Sequence, residues 1–450
     1  MFPLFIGHLS IMGNEEYNST DNLLTVIDLG TESIRVMMAR LENDGNVRML
    51  GCGDTRTNRR DGCEEQAVNI RKGKVRNPRE VERMLKRALD EAVMNSGVTV
   101  VGGHVYIGIT DSVSTVNVSM DMPVRRGSAI SEDKMAEFMR MVREHYDCMS
   151  MNEGKCLHTH TRFFKLDDGR DVYDVTGIVS KSITANLQGV TCRNETVEMI
   201  TNLVKNVIGV EPVLLYIPLA MGYAVDLSDD LNNGVLMIDI GAGVVSFCVM
   251  RGGCIVHLGH IPVGCNHIEN DLMQAFGIEW GTARKIVRKL QTDIGANLTN
   301  DDDKRHRMVT VESRDGRTGQ RQRRVPVSSI EKVIVLRLRE IFSIVREELV
   351  KADAWWHIGG PVVLSGGGAL IPGIESVAEN SFDKPVRVAT VMDLNDGKGI
   401  YDDARDIVPL GLMKLAMRDL HIIKAKQEIS EESFSLMKFT KKVIGALGNW

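Results

Sequence analysis

The sequence predicts an α/β protein built on a duplicated core, and three stretches carry that prediction. Residues 23–41 (LLTVIDLGTESIRVMMARL) and 234–250 (GVLMIDIGAGVVSFCVM) each run an apolar strand into Asp-Xaa-Gly and then into a second apolar strand. Residues 362–374 (VVLSGGGALIPGI) end a third apolar strand in a triple glycine. Short apolar runs bounded by glycine read as buried strands, and two copies of one hairpin far apart in the chain imply a repeated unit.

The turns suggest what the repeat holds. Each Asp-Xaa-Gly joins strand to strand, so it is neither a Walker loop nor a dinucleotide fingerprint, both of which open a helix. Glycine still lets backbone N–H groups approach an anion closely. That makes Gly30, Gly241 and Gly243, with Thr31, Glu32, Ser33 and Ala242 beside them, candidate phosphate-binding residues. Asp28 and Asp239 stand where a carboxylate holds Mg²⁺ through water. Gly366, Gly367, Gly368 and Ala369 allow a flat base to lie against backbone before a helix begins near Pro372. The competing reading is a protein with several glycine-tipped hairpins and no ligand.

Composition narrows the class. A chain of 450 residues has room for two to four domains or one large two-lobed body. A net charge of -5 argues against a general nucleic-acid binder. The eight cysteines form no CxxC pair, which fits reduced thiols better than zinc or a disulfide framework. No apolar run is long enough to span a bilayer. Residues 1–21 carry no basic n-region and are expected to be an extension without fixed structure.

The other end bears on membranes. After a polar linker at 426–433, residues 434–450 read FSLMKFTKKVIGALGNW. On a helix, Leu436, Phe439, Val443, Leu447 and Trp450 fall within an arc of roughly 80°. Lys438, Lys441 and Lys442 lie opposite, and the segment has no acid. A basic amphipathic helix with Phe and Trp on its apolar face fits an interfacial anchor on an anionic membrane. The alternative is a helix docked on the protein's own core.

Between the glycine turns, residues 111–184 read as a strand, a helix and further strands. His158 and His160 alternate with threonine on one strand face, and exposed strand histidines are the expectation, against a metal role. Residues 301–324 hold an acidic triplet and then Arg321, Arg323 and Arg324, expected as a solvated hairpin turning at Asp315-Gly316. No aromatic residues interleave there for base stacking, so no nucleic-acid partner is expected. A helix follows, with a start signal at Ser328-Ser329.

These motifs, in this order, resemble the actin, Hsp70 and sugar-kinase superfamily and, within it, the bacterial cell-division FtsA family. The resemblance is carried by VIDLGTESIRV (26–36), VYIGIT (105–110), VLMIDIGAG (235–243), HIPVGCNHIENDL (260–272) and LSGGGALIPGI (364–374), and by the terminal amphipathic helix. It implies a two-lobed actin-like fold, a duplicated ribonuclease H-like core with an inserted small α+β subdomain, and ATP with Mg²⁺ between the lobes. Lobe I would comprise 22–110 and 185–228, with 111–184 inserted. Lobe II would comprise 229–269 and 350–425, with a smaller subdomain at 270–349. The implied partners are the C-terminal tail of FtsZ, other divisome proteins and further copies of this chain. The implied place is the inner face of the cytoplasmic membrane at the division site. Arg337 matches a recurring arginine in the helix that receives the FtsZ tail, which makes it a partner-contact candidate.

Three departures from the family pattern point to hydrolysis that is slow or absent. DIGGGTTD becomes DIGAGVVS, so Val244 and Val245 replace hydroxyls and Ser246 an acid. EPLA becomes IPLA, so Ile217 replaces a carboxylate that would orient water. Arg284 falls where a Glu would meet the nucleotide sugar. The rival readings are a PilM-like scaffold of pilus or secretion assembly and an ATP-dependent sugar kinase.

Overall fold

Each duplicated hairpin grows into a five-stranded sheet of the same topology. The computed structural model describes residues 5–6, 22–42, 47–56, 69–98, 103–124, 127–225, 227, 230–289, 308–315, 319–390 and 404–420. In the first sheet, Leu23–Leu29, Ser33–Leu41 and Val47–Arg56 run antiparallel in sequence order. His104–Ile109 and Val213–Tyr216 then add in parallel on the other side of Leu23–Leu29. In the second sheet, Val235–Ile240, Val245–Arg251 and Cys254–Ile261 repeat the antiparallel part. Val362–Ser365 and Val386–Val388 repeat the parallel part. The strands that carry Asp28 and Asp239 are therefore both central, which is why they read as nearly unbroken apolar runs.

Helices cover the sheets where the sequence leaves room. Pro78–Ser96 starts behind Asn77, whose side chain accepts from the Glu80 N–H, and stops at left-handed Gly97. It lies so close to Val47–Arg56 that a Cβ on Gly53 would come within 2.0 Å of the Ala88 carbonyl.

Two further helices, Ile217–Ala224 and 407–420, sit between the sheets. They share one core with residues of both sheets, such as Ile27 and Ile107 on one side and Met237 and Cys248 on the other. Tyr106 donates to Asp419 at 3.0 Å across this layer. The helix over 407–420, grouped with the second lobe by the sequence boundaries, thus belongs to neither sheet alone.

The inserted subdomain is a sheet of Val113–Met122, Ile183–Cys192 and Lys155–Leu166, with helix Glu132–Glu153 on one face. Its third strand runs past residue 184 to Cys192. Phe5–Ile6, inside the stretch expected to lack structure, pairs with His158 and Thr159.

His158 and His160 are not exposed as expected. They are 1% and 3% exposed, because their face of the sheet is covered by Cys254–Ile261 of the second lobe. Burial holds the His158 ring neutral, with its pKa pushed down to about 3. At Arg162 the strand takes an extra residue: Thr161 pairs Leu187 and Phe163 pairs Asn186. The bulged arginine reaches into the second lobe and donates to the carbonyls of Val256 (2.7 Å) and Ala352 (3.1 Å).

The hairpin expected over 301–324 is present as Met308–Asp315 paired with Gly319–Pro326. Its tip and residues 301–307 lie outside the described residues, as do the linker and the amphipathic segment 434–450. The helix after it begins at Val327, one residue before the serine signal, behind Pro326. Among the described residues, no helix is long and apolar enough to cross a membrane.

The two central helices touch at Gly411, where a Cβ would lie 2.0 Å from the Ala220 carbonyl. Gly411→Ala should therefore destabilise the protein by about 2 kcal/mol or more, read as a lower urea midpoint.

Candidate functional site

The two duplicated turns face each other across one cleft of about 290 Å³. Each turn is closed the same way: the Gly30 N–H donates to the Ser33 carbonyl and the Gly241 N–H to the Val244 carbonyl, both at 3.0 Å. A Cβ on either glycine would strike the carbonyl it bonds, at 2.7 and 2.9 Å. The turns also touch across the cleft, since a Cβ on Gly243 would lie 2.7 Å from the Thr31 hydroxyl. That hydroxyl accepts from the Gly73 N–H at 3.0 Å.

The floor is set by the triple glycine. Ser365 donates to Asp239 at 3.1 Å, and Gly366, at φ +82°, brings its backbone against the same carboxylate. Gly368 sits over Ile240 and Cys265. Helix Cys265–Phe276 enters beside the second turn because Gly264 leaves room for it. The Cys265 and Asn266 N–H groups donate to the Gly241 and Ala242 carbonyls at 3.0 and 2.8 Å. This contact accounts for the small residue in HIPVGCN.

Asp28 and Asp239 share this space. Burial, and then the neighbouring Asp239, raise the Asp28 carboxyl to about 7. Burial raises Asp239 to about 6 against the opposing hydrogen bond from Ser365. Arg35 stands over the pair but is held by Asp406 at 2.6 Å and by the Arg405 carbonyl at 2.9 Å.

The structure brings together most of the residues singled out in the sequence. Asp28, Gly30, Thr31, Glu32 and Ser33 line the cleft with Asp239, Gly241, Ala242, Gly243 and Gly366–Gly368. Ala369 does not line it and packs in the second lobe's core. The altered positions divide: Val244, Ser246 and Ile217 line the cleft, whereas Val245 is fully buried in the core. Strand alternation explains this, because only every second residue of the hairpin faces the ligand side.

Arg337 lies away from the cleft. It makes a two-pronged bond to Asp271, at 2.5 and 2.7 Å, and reaches Glu340 at 2.7 Å, so within this chain it ties helix Val327–Lys351 to helix Cys265–Phe276.

Sequence reasoning missed Arg35, Gly73, Glu269 and Arg405 as cleft residues. Arg35 was within reach, two residues after Ser33 on the same strand face, and Glu269 one helical turn after Cys265. Gly73 and Arg405 come from distant segments with no local signal.

The residues present fit an anion that carries a cation. Glycines stand where a side chain would fill the cradle, and two acids stand where a cation would offset their shared charge.

Comparisons with known proteins agree with this geometry. A family model described as "Cell division protein FtsA" matches residues 236–405. The FtsA of Escherichia coli (strain K12) is 23% identical over 441 residues, covering 96% of both chains. The chain is similar to FtsA over nearly its whole length. The FtsA of Borreliella burgdorferi is likewise 23% identical, over 95% of this chain and 98% of its own. Among solved structures, MreB5 of Spiroplasma citri bound to ADP aligns with a TM-score of 0.54 at 14% identity, over 90% of this chain and 98% of that one. A PilM–PilN type IV pilus biogenesis complex aligns at 0.50 and 13%, over 88% and 97%. The fold of this chain is actin-like.

The two raised acids have a pH consequence. A carboxyl whose folded pKa lies above its usual 3.8 favours the folded state when protonated, so stability falls as pH rises from about 4 to about 7. Asp28→Asn removes one such group. It should gain more stability over the parent at pH 7.5 than at pH 5, measured by urea melts without ligand.

Proposed function

We propose that this chain is a nucleotide-binding cell-division scaffold. ATP would lie between the lobes with its phosphates on the turns Gly30–Ser33 and Gly241–Gly243. Asp28 and Asp239 would hold Mg²⁺ through water, and the base would rest on Gly366–Gly368. One observation carries this reading: two turns of identical geometry, each beside a central-strand aspartate, close on a single cleft.

Within that reading, the bound nucleotide and its metal supply the reactive phosphoanhydride. The chain's own groups orient the ligand, and two of them do it poorly. Val244 offers a methyl where a hydroxyl would bond a phosphate or a metal-bound water. Ile217 offers an alkyl chain where a carboxylate would position the attacking water. Of the four positions altered in DIGAGVVS, only Ser246 carries a hydroxyl, and it stands at the cleft in place of an acid. Turnover is therefore slow or absent, and the protein works as a scaffold that nucleotide occupancy shapes.

At the membrane, residues 434–450 would lie in the interface. A single amphipathic helix binds modestly, and self-association into filaments would multiply its hold. FtsZ, by its C-terminal tail, would be the filament tethered there. The sugar-kinase reading is disfavoured because no sequence motif supplies a catalytic base and substrate pocket. The PilM-like reading shares the fold and differs in having no use for the terminal helix.

Co-sedimentation with anionic vesicles separates these readings. The full chain should pellet with vesicles and carry FtsZ with it, and deletion of 434–450 should abolish both. If deletion changes neither, the tether reading fails. In a steady-state phosphate-release assay, Val244→Thr combined with Ile217→Glu should raise ATP turnover by about tenfold or more.

A further inference from the structure

Glu32 and Arg284 form an ion pair across the cleft, which both residues line. Glu32 belongs to the first glycine turn, on the lobe built around Leu23–Leu29. Arg284 belongs to helix Trp280–Lys289 of the other lobe. The two side chains are 27% and 12% exposed, so the bond is shielded from water more than an ordinary surface pair. Arg284 also lies over the Trp280 ring, 4.7 Å from its centre, which fixes the guanidinium where it meets Glu32.

Both residues line the cleft, and its volume of about 290 Å³ sits at the lower edge of the range of roughly 300–1,000 Å³ typical of small-molecule pockets. With the pair formed, two side chains from opposite lobes meet in the space a ligand would enter. The charges work the same way. Glu32 repels a polyanion, and Arg284, the cation that would attract one, is neutralised by its partner.

We propose that the Glu32–Arg284 pair is an interlobe latch: it holds the lobes closed without ligand, and a nucleotide has to part it to enter. The ligand half of this proposal rests on the nucleotide reading of the cleft; the latch itself does not. The latch makes closure an intrinsic property of the chain rather than a response to ligand. Apparent nucleotide affinity is then reduced by the fraction of molecules in which the pair is formed.

The test uses the full chain with two readouts. The first is the interlobe distance by energy transfer, with dyes carried on unnatural amino acids at Met94 and Glu379, exposed positions on opposite lobes. The second is the affinity for a fluorescent ATP analogue with Mg²⁺. Glu32→Gln should lengthen the distance and tighten the analogue about three- to fivefold, the scale of one partly exposed ion pair. The double reversal Glu32→Arg with Arg284→Glu should restore the parent distance. An unchanged distance in Glu32→Gln overturns the latch, whatever the analogue does. A longer distance with weaker binding overturns the gating of ligand entry. A longer distance, restored by the reversal, with no binding by any variant supports the latch and removes the nucleotide reading instead.

Discussion

Two carboxylates of the same charge are forced into one poorly solvated cleft, and much of the molecule is arranged around that fact. Neither Asp28 nor Asp239 could move far without breaking a central strand, since each is hydrogen-bonded into the sheet on both sides. The chain relieves their repulsion only in part. Ser365 bonds one of them, and Arg35 stands near both while it is committed to Asp406. Leaving charge uncompensated at a buried site is costly, and it persists where a cation or proton completes the site. Gly366 follows from the same need, because a Cβ there would lie 2.8 Å from the Asp239 carboxylate, whereas Gly30 and Gly241 are required by the closure of their own turns.

The lobes meet through contacts of different strength. At the bottom, the two central helices pack backbone to backbone at Gly411 and Ala220, which suits a hinge because little can slide there. At the side, the inserted subdomain reaches the second lobe with Arg162 and with Gln188, which accepts from the Leu258 N–H at 3.0 Å. At the top are the Thr31–Gly243 contact and the ion pair of Glu32 with Arg284. The first set is apolar and fixed. The last set joins one close contact to one charge pair, and that charge pair is the link most sensitive to salt.

The central architecture was legible because it is written in local pattern. An apolar strand, an acid, a glycine and another apolar strand can fold in few ways, and the repeat announced itself twice. The same rule of alternation, applied more strictly, would have placed Val245 in the core and Arg35 in the cleft. His158 and His160 were misjudged for a different reason. Alternation with threonine shows that they share a face, but only the path of a distant strand, Cys254–Ile261, decides whether water reaches it. Arg337 illustrates the same limit. Its helix was evident, yet its engagement by Asp271 depends on how two helices pack. The bulge at Arg162 left no mark in the residues around it.

The helix over 407–420 has a consequence for how the protein is made. Its apolar side completes the core beneath the first strands, and Tyr106 finds its partner only 313 residues later, at Asp419. A chain emerging from the ribosome can pair the five strands of its first sheet once residue 216 is out, but it cannot complete the core beneath them until nearly all of it has been synthesised. Until then the part of that sheet's inner face not covered by Ile217–Ala224 is exposed, and closing so long a loop is slow. The second sheet, whose five strands fall within 235–388, waits for the same helix, though for a shorter stretch of synthesis. The sheet that is translated first therefore waits longest for its cover, and the nascent chain is most vulnerable to aggregation through its N-terminal strands.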